Sequence, residues 1–331
     1  MQVETISIIG LNLLSASAGL AIKKKLPSLT IIGCDPDGDK SLLDEAKALG
    51  AIDQDVPVVR NAIRRGDIII LANQPHKTIE ILAQYGADVK EHAVITDFGP
   101  LKKPIQAAAD KFLRKGFYVG SMPIVNVDQA MQISNHRLNG ATDALFQNSL
   151  FCLMPSSKVE QGAVDTISGI GSVFGCKPFF VDPDEFDVYA QALETLPNLL
   201  TLALFKSLRA QTGWGDLERL ASLSFLQMVK PGADDHFGIG LGEQVVQNKT
   251  STIHWINVMM THLGEIKSWI EEADDNTLKQ LFDESARDQA VWINRRREND
   301  WSETSGTDEA SSLSFNNLLF GNLANRFTKR D

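Results

Sequence analysis

The sequence predicts an α/β protein in which a mostly parallel sheet domain is followed by an all-α domain. Up to about residue 182, short apolar strands rich in β-branched residues alternate with amphipathic helices, which is typical of a parallel sheet covered on both faces. From Glu185 onward only long helical periodicity remains. We therefore expect a sheet domain over residues 1–182, a helical domain over residues 183–300, and a polar tail over residues 301–331.

The elements of the sheet domain follow from its apolar runs and the turns between them. Strands are predicted over residues 6–9, 30–34, 68–72, 94–97, 117–120, 150–154 and 178–181. Helices are predicted between them over residues 13–25, 39–49, 58–64, 77–85, 102–114 and 159–174. Strands this apolar, separated by helices of this length, place both faces of the sheet in the core.

The second half is predicted to contain long helices over residues 186–210, 217–228, 251–270 and 276–297. The third of these carries an apolar stripe at helical spacing, formed by Ile253, Ile256, Met260, Leu263 and Ile266. Long apolar helix faces often supply dimer interfaces, so we expect a homodimer. Residues 301–312 are rich in Ser, Thr, Asp and Glu, and residues 315–327 favour a short amphipathic helix that docks on the body or on a partner.

Composition limits the partners and the location. The formal net charge of −10 argues against nucleic acid or an anionic membrane as the main partner, because both require clustered Lys and Arg. No apolar run approaches the roughly 20 residues of a membrane span, and no secretory signal pattern is seen, so a cytoplasmic protein is expected. Cys34, Cys152 and Cys176 lack paired spacing and are expected to be buried thiols, with neither a disulfide nor a metal site.

The loop after the first strand has the form of a dinucleotide-binding turn. Such Rossmann-type loops carry Gly-x-Gly-x-x-Gly and direct backbone N–H groups and a helix N-terminus at a pyrophosphate. Here only Gly10 is a glycine, while Asn12 and Ser15 fill the other two positions. We expect NAD to be held by Gly10, Leu11, Asn12 and Leu13, and Asn12 to weaken the binding because its side chain lies where the backbone should approach the phosphate.

Asp35 ends the second predicted strand, 25 residues after Gly10. This is the position at which a carboxylate accepts hydrogen bonds from ribose hydroxyls. A carboxylate there favours NAD over NADP, whose 2′-phosphate it would repel. The alternative is that Asp35 is only a turn residue before Pro36.

Several blocks, in the right order, resemble the prephenate/arogenate dehydrogenase family over nearly all of residues 5–297. Residues 68–75, Ile-Ile-Ile-Leu-Ala-Asn-Gln-Pro, are similar to the family's strand that ends in Ala-x-Pro-Pro beside the nicotinamide, which implies that Ala72, Asn73 and Pro75 contribute to the cofactor site. The other blocks are Thr-Asp-Phe-Gly-Pro-Leu-Lys at 96–102, Gly-Ser-Met-Pro-Ile at 120–124, Phe-Asp at 186–187 with Glu-Thr-Leu-Pro-Asn at 194–198, and Gly-Trp-Gly-Asp-Leu-Glu-Arg at 213–219.

The resemblance implies a reaction in which hydride passes from the hydroxyl-bearing ring carbon of prephenate to NAD(P), with loss of carbon dioxide and aromatisation. In the family a His accepts the hydroxyl proton, a Ser supports that His, and an Arg holds a substrate carboxylate. Here Met122 stands in place of the His and Pro100 in place of the Ser. Because a positioned general base contributes roughly 10²–10⁴ in rate, these replacements predict little of the family's reaction.

The remaining site positions are only partly kept. The Ser and the two His of the later motif are replaced, in order, by Glu194, Thr195 and Asn198. Arg219 is retained, and Asp128 stands where the family often has Glu. We therefore take Arg219, Asp128 and Glu194 as the candidate catalytic residues, with Arg219 binding a carboxylate and either acid serving as a relocated base.

Purely structural roles stay open as alternatives for Arg219 and His76. The alternative for Arg219 is an ion pair with Asp216 or Glu218 on a helix surface, against which stands the suitability of Arg for binding a carboxylate through two hydrogen bonds. His76, a further candidate base, is more simply a solvent-facing residue in the first turn of a helix. Two functions follow. The chain is either a prephenate/arogenate dehydrogenase-like oxidoreductase of tyrosine biosynthesis with weak or altered activity, or an inactive homologue that binds a small carboxylate ligand or a protein partner as a regulator or scaffold.

Overall fold

Eight strands form one sheet in the order β3-β2-β1-β4-β5-β6-β7-β8. The computed structural model describes residues 3–133, 138–230 and 237–301. All neighbouring strands are parallel except β6 and β7, which are antiparallel. The strands are β1 Thr5–Ile9, β2 Thr30–Cys34, β3 Gln54–Asp55, β4 Ile68–Leu71, β5 Val94–Asp97, β6 Phe117–Pro123, β7 Leu150–Pro155 and β8 Lys177–Phe180. The expected mostly parallel sheet is confirmed.

Helices connect the strands and predominate in the described residues after β8, as predicted. Those associated with the sheet are α1 Leu13–Lys25, α2 Lys40–Ala48, α3 Val59–Arg65, α4 Pro75–Tyr85, α5 Lys103–Phe112, α6 Val127–Gln132 and α7 Gln161–Val173. Those that follow are α8 Pro183–Ala190, α9 Leu196–Arg209, α10 Trp214–Leu217, α11 Leu223–Val229, α12 Phe237–Gln247, α13 Lys249–Glu272 and α14 Asp275–Glu298. A π-helical turn, Gln191–Thr195, joins α8 to α9.

Alternate residues of the central strands enter two separate apolar cores, one on each face of the sheet. Ile68 and Ile70 of β4 belong to one core, while Ile69 and Leu71 belong to the other. Each of these side chains is almost fully buried. Side chains of a strand alternate between faces, so a strand that is apolar at every position requires cover on both. This is why the central strands could be predicted from composition alone.

The edges of the structure differ from expectation. The prediction that the last strand is buried is wrong, because β8 lies at the edge of the sheet and all four of its residues are exposed. The single helix predicted over residues 217–228 is also wrong. The helical path ends after a 3₁₀ turn, and Ser222 starts α11 afresh by accepting a hydrogen bond from Phe225 N–H.

Cys34, Cys152 and Cys176 are buried and unpaired, as expected. Within the described residues, no helix has both the length and the apolar character that crossing a membrane requires. The short helix predicted over residues 315–327 lies outside the described residues.

Candidate functional site

The predicted cofactor residues meet at one edge of the sheet. The strands β1 and β4 are neighbours, and the chain continues from them in opposite directions across the sheet, towards β2 and towards β5. The carboxyl ends of two such strands flank the crevice in which α/β proteins of this type bind nucleotides. Gly10 to Leu13 follow β1, Asp35 follows β2, and Ala72, Asn73 and Pro75 follow β4.

Gly10 makes the tight turn out of β1. Its φ is +90°, a conformation that favours glycine. A Cβ added at Gly10 would lie 2.4 Å from Asn73 Oδ1 and 2.6 Å from the carbonyl oxygen of Ala72. The loop after β4 therefore packs directly on the loop after β1, and only a glycine fits between them.

Asn12 caps helix α1 with its own side chain. Its Oδ1 accepts hydrogen bonds from Leu14 N–H at 3.0 Å and from Ser15 N–H at 3.1 Å, while Ser15 Oγ accepts from Asn12 N–H at 2.9 Å. This reciprocal capping box satisfies amide groups that are otherwise free at a helix N-terminus. Those same groups are the ones that a Rossmann-type loop presents to a pyrophosphate.

Two carboxamides also cross from one loop to the other. Asn12 Nδ2 donates to the Ala72 carbonyl at 2.9 Å, and Asn73 Nδ2 donates to the Ile9 carbonyl at 2.9 Å. The turn geometry of a dinucleotide site is thus preserved, but two of its anion-binding amides are occupied and its crevice is bridged. A pyrophosphate bound at these amides would require the Asn12 carboxamide to move.

Asp35 is buried and serves the turn after β2. Its Oδ2 accepts a hydrogen bond from Asp39 N–H at 2.7 Å, just before α2 begins. The structure thus places Asp35 at the predicted edge of the sheet, with one carboxylate oxygen already in use. Recognition of ribose by Asp35 stays a prediction.

A buried ion pair, not recognised from the sequence, lies beyond β5. Lys102 and Asp97 are both almost completely buried, and Lys102 Nζ donates to Asp97 Oδ1 at 2.7 Å and to the Ser121 carbonyl at 2.8 Å. The Tyr118 hydroxyl donates a hydrogen bond to Asp97 Oδ2 at 2.5 Å. Burial lowers the pKa of Lys102, and burial together with Asp97 raises the pKa of Tyr118. The signal was the Thr-Asp-Phe-Gly-Pro-Leu-Lys block, in which two charges lie within an otherwise apolar stretch.

Asp187 links this cluster to the helical region. Its two carboxylate oxygens accept from Lys102 N–H at 2.6 Å and from Lys103 N–H at 3.1 Å, so α8 caps the start of α5. Burial raises the pKa of Asp187 to about 6. Asp97, Lys102 and Asp187 thus form a buried hydrogen-bonded cluster that joins the end of β5 to the start of α5 and to α8.

The positions expected to carry acid–base chemistry hold apolar residues. Met122 lies on β6 opposite Cys152 of β7, is half-buried, and packs against the larger apolar core. Pro100 is also half-buried and has no hydroxyl group. Neither residue can accept or donate a proton.

The three candidate catalytic residues lie on separate elements. Glu194 is in the π-helical turn, and although the residue is exposed, desolvation of its carboxyl group raises its pKa. Asp128, in the first turn of α6, pairs with Arg297 Nε at 2.8 Å. Arg219 is exposed on the 3₁₀ turn before α11. Within the part of the chain that the structure describes, no hydrogen bond or ion pair joins these three side chains.

The purely structural alternatives for Arg219 and His76 have different outcomes. Among the described residues Arg219 forms no ion pair with Asp216 or Glu218, whereas His76 Nδ1 lies 2.5 Å from Glu243 Oε2 on the exposed first turn of α4. His76 is therefore half of a surface pair, whereas the Arg219 side chain is exposed and has neither of these two acids as an ion-pair partner among the described residues.

Comparison with known proteins indicates the same kind of domain as the observed fold does. Residues 18–177 match the family model described as prephenate dehydrogenase, nucleotide-binding domain. These residues therefore form a nucleotide-binding domain of the prephenate dehydrogenase family. The matched region begins after the loop that carries Gly10 and Asn12.

Relatives of this family cover most of the chain. The prephenate dehydrogenase of Bacillus subtilis is 24% identical over 84% of this chain and 73% of its own length. That of Lactococcus lactis is 26% identical over 86% of this chain and 76% of its own. Both identities are below 30%.

Solved structures show the same fold. Prephenate dehydrogenase from Aquifex aeolicus, in complex with hydroxyphenyl propionate and NAD⁺, has a TM-score of 0.73 at 19% identity and covers 88% of this chain and 99% of its own. Synechocystis arogenate dehydrogenase has a TM-score of 0.64 at 18% identity, covering 87% of this chain and 99% of its own. The fold of both halves of the chain is thus shared with these dehydrogenases.

Proposed function

We propose that this family member binds a small carboxylate ligand and does not transfer hydride at an enzymatic rate. The observation that supports the proposal is Met122, which by the sequence resemblance stands in place of the family's general base and which packs against the core. A positioned base contributes roughly 10²–10⁴ in rate, equivalent to about 3–5 kcal/mol of barrier. Pro100 removes the supporting hydroxyl as well.

Arg219 is the group proposed to bind the ligand. A guanidinium forms paired hydrogen bonds with a carboxylate, and this one is exposed and forms no ion pair with the acids beside it in sequence among the described residues. The ligand class is therefore a small carboxylate of the kind suggested by the resemblance, such as prephenate or arogenate.

The test combines ligand binding with turnover. Thermal shift is measured with prephenate and with arogenate, and NAD(P)H formation is followed by absorbance with each nucleotide. We expect a ligand-dependent rise in Tm that is lost in Arg219→Ala and kept in Arg209→Ala, an exposed arginine on α9, with no NAD(P)H formed. Turnover of ordinary enzymatic size, or equal shifts in the two variants, would contradict the proposal.

A second candidate is a weak dehydrogenase in which Glu194 replaces the lost base. It is favoured by the desolvation that raises the pKa of Glu194, since a general base works best with a pKa near the working pH. If this candidate is right, residual NAD(P)H formation disappears in Glu194→Gln and persists in Asp128→Asn. The same rate in both variants would exclude Glu194 as the base.

We also propose that a second copy of this chain covers the helical region. The 24-residue helix α13 has one buried residue, Thr252, and α14, also of 24 residues, has none. Large apolar side chains are exposed instead, including Leu220 at 79%, Leu223 at 70% and Met260 at 64%. Apolar exposure on this scale marks an interface, and a homodimer is the commonest way to bury it. Light scattering at micromolar concentration is expected to give twice the chain mass; the monomer mass would refute the homodimer.

Buried unpaired cysteines suit a reducing compartment, which supports a cytoplasmic location.

A further inference from the structure

We propose that Asn12 and Asn73 form a latch that closes the dinucleotide crevice, so that the protein as it stands binds neither NAD nor NADP. The latch is defined as these two side chains and the hydrogen bonds they make across the crevice. This inference goes beyond the proposed function, because it concerns the nucleotide and stands whether or not a carboxylate binds elsewhere.

The first part of the latch is an internal substitute for phosphate. Asn12 Oδ1 lies 3.0 Å from Leu14 N and 3.1 Å from Ser15 N, where a phosphate oxygen would accept the same two hydrogen bonds. Ser15 Oγ accepts from Asn12 N–H in return and holds the residue in place. A nucleotide would have to displace the carboxamide from the helix before it could contact these amides.

The second part ties the two loops together. Asn12 Nδ2 donates to Ala72 O and Asn73 Nδ2 donates to Ile9 O, so the two bonds run in opposite directions between the end of β1 and the end of β4. A dinucleotide in this fold lies across the same boundary. Admitting it requires both carboxamides to rotate and α1 to lose its cap.

The chain offers a matched control for Asn12. Asn126 caps α6 in the same way, with Oδ1 accepting from Asp128 N–H at 2.9 Å and from Gln129 N–H at 3.2 Å. Its Nδ2 also donates to a carbonyl of another loop, that of Gln147, at 2.8 Å. Asn126→Gly therefore removes one cap and one bridge, as Asn12→Gly does, but beyond the end of β6, which β5 separates from β4.

The experiment is calorimetric titration of the full chain and both variants with NAD, NADP and ADP-ribose. We expect saturable binding of NAD to Asn12→Gly. We expect no saturable binding to the wild type or to Asn126→Gly, so that any affinity these two have for NAD is at least tenfold weaker. Micromolar binding of NAD by the wild type would overturn the latch, and so would equal affinities in the two variants.

Asn73→Ala keeps the proposal testable if Asn12→Gly does not fold. It removes the second bridge and leaves the cap of α1 intact, so a smaller gain in NAD affinity is expected, and no gain over the wild type would count against the latch. The outcomes separate this inference from the proposed function. Asn12→Gly that binds NAD without forming NADH supports both, whereas wild type that binds NAD without turnover overturns only the latch.

Discussion

The sheet region and the helical region use apolar residues in opposite ways. In β1, β2 and β4 nearly every side chain is buried, and the two cores are complete within one chain. In α13 and α14 almost every side chain is half-buried or exposed, and large apolar residues lie on the surface. The sheet region thus buries its apolar side chains within one chain, whereas the helical region leaves many of them exposed, and this exposure is the basis of the proposed homodimer.

The largest effect is expected from breaking the buried ion pair of the sheet region. Lys102→Ala leaves Asp97 buried with its charge uncompensated, which costs about 3–5 kcal/mol of the free energy of unfolding. The control is Lys103→Ala, whose pair with Asp184 is exposed to solvent and contributes little to stability. Denaturant unfolding of both variants measures the difference, and similar losses would show that the cluster does not stabilise the fold.

A pH dependence is expected where the two regions meet, at Asp187. Folding raises its pKa from 3.8 to about 6, so its protonated form favours the folded state. Its contribution to stability is complete below about pH 4 and is lost as pH rises through 6, by about 3 kcal/mol in total. Unfolding curves of Asp187→Asn should lack this decline; the same pH profile in wild type and variant would contradict the assignment.

A smaller effect is expected from the cap of α1. Asn12→Ala removes both accepted hydrogen bonds and should cost about 0.5–2 kcal/mol, whereas Asn12→Gly should cost only a few tenths. Thermal unfolding of the two variants measures the difference. A greater loss in the glycine variant than in the alanine variant would mean that Asn12 stabilises the loop by something other than capping.

The smallest effect on stability, with a large effect on mass, is expected in the helical region. Leu223→Glu places a charge on a side chain that is 70% exposed, so unfolding of the isolated chain should change by no more than about 0.5 kcal/mol. The homodimer should dissociate, because the charge would be buried at the interface. Sedimentation gives the mass, and Glu218→Gln on the neighbouring turn serves as a mild control. A Leu223→Glu protein that remains dimeric would remove this surface from the interface.

Most of the fold could be predicted because both halves have clear periodicity. The central strands β1, β2, β4 and β5 are apolar at nearly every position, and their bounds were predicted to within one residue. The two-residue strand β3 was missed because Gln54 and Asp55 are exposed and carry no apolar signal. The break at Ser222 was missed because a side-chain cap overrode a continuous helical pattern.

The site could be located but its contacts could not. The turn at Gly10 and the carboxylate at Asp35 lie at the predicted edge of the sheet. That Asn12 turns back onto its own helix, and that Asn73 crosses to Ile9, depends on the distance between two loops about 60 residues apart in sequence. Spacing predicts which residues share an edge, but only side-chain geometry shows which of them bond to each other.

This chain keeps the architecture of a dinucleotide-binding protein, and the latch is proposed to close its crevice. The decisive experiment is calorimetric titration of the unmodified protein with millimolar NAD. If the latch closes the crevice, no saturable heat is expected. Saturable binding with micromolar affinity would contradict it, because the amides now held by Asn12 would then be open to a pyrophosphate.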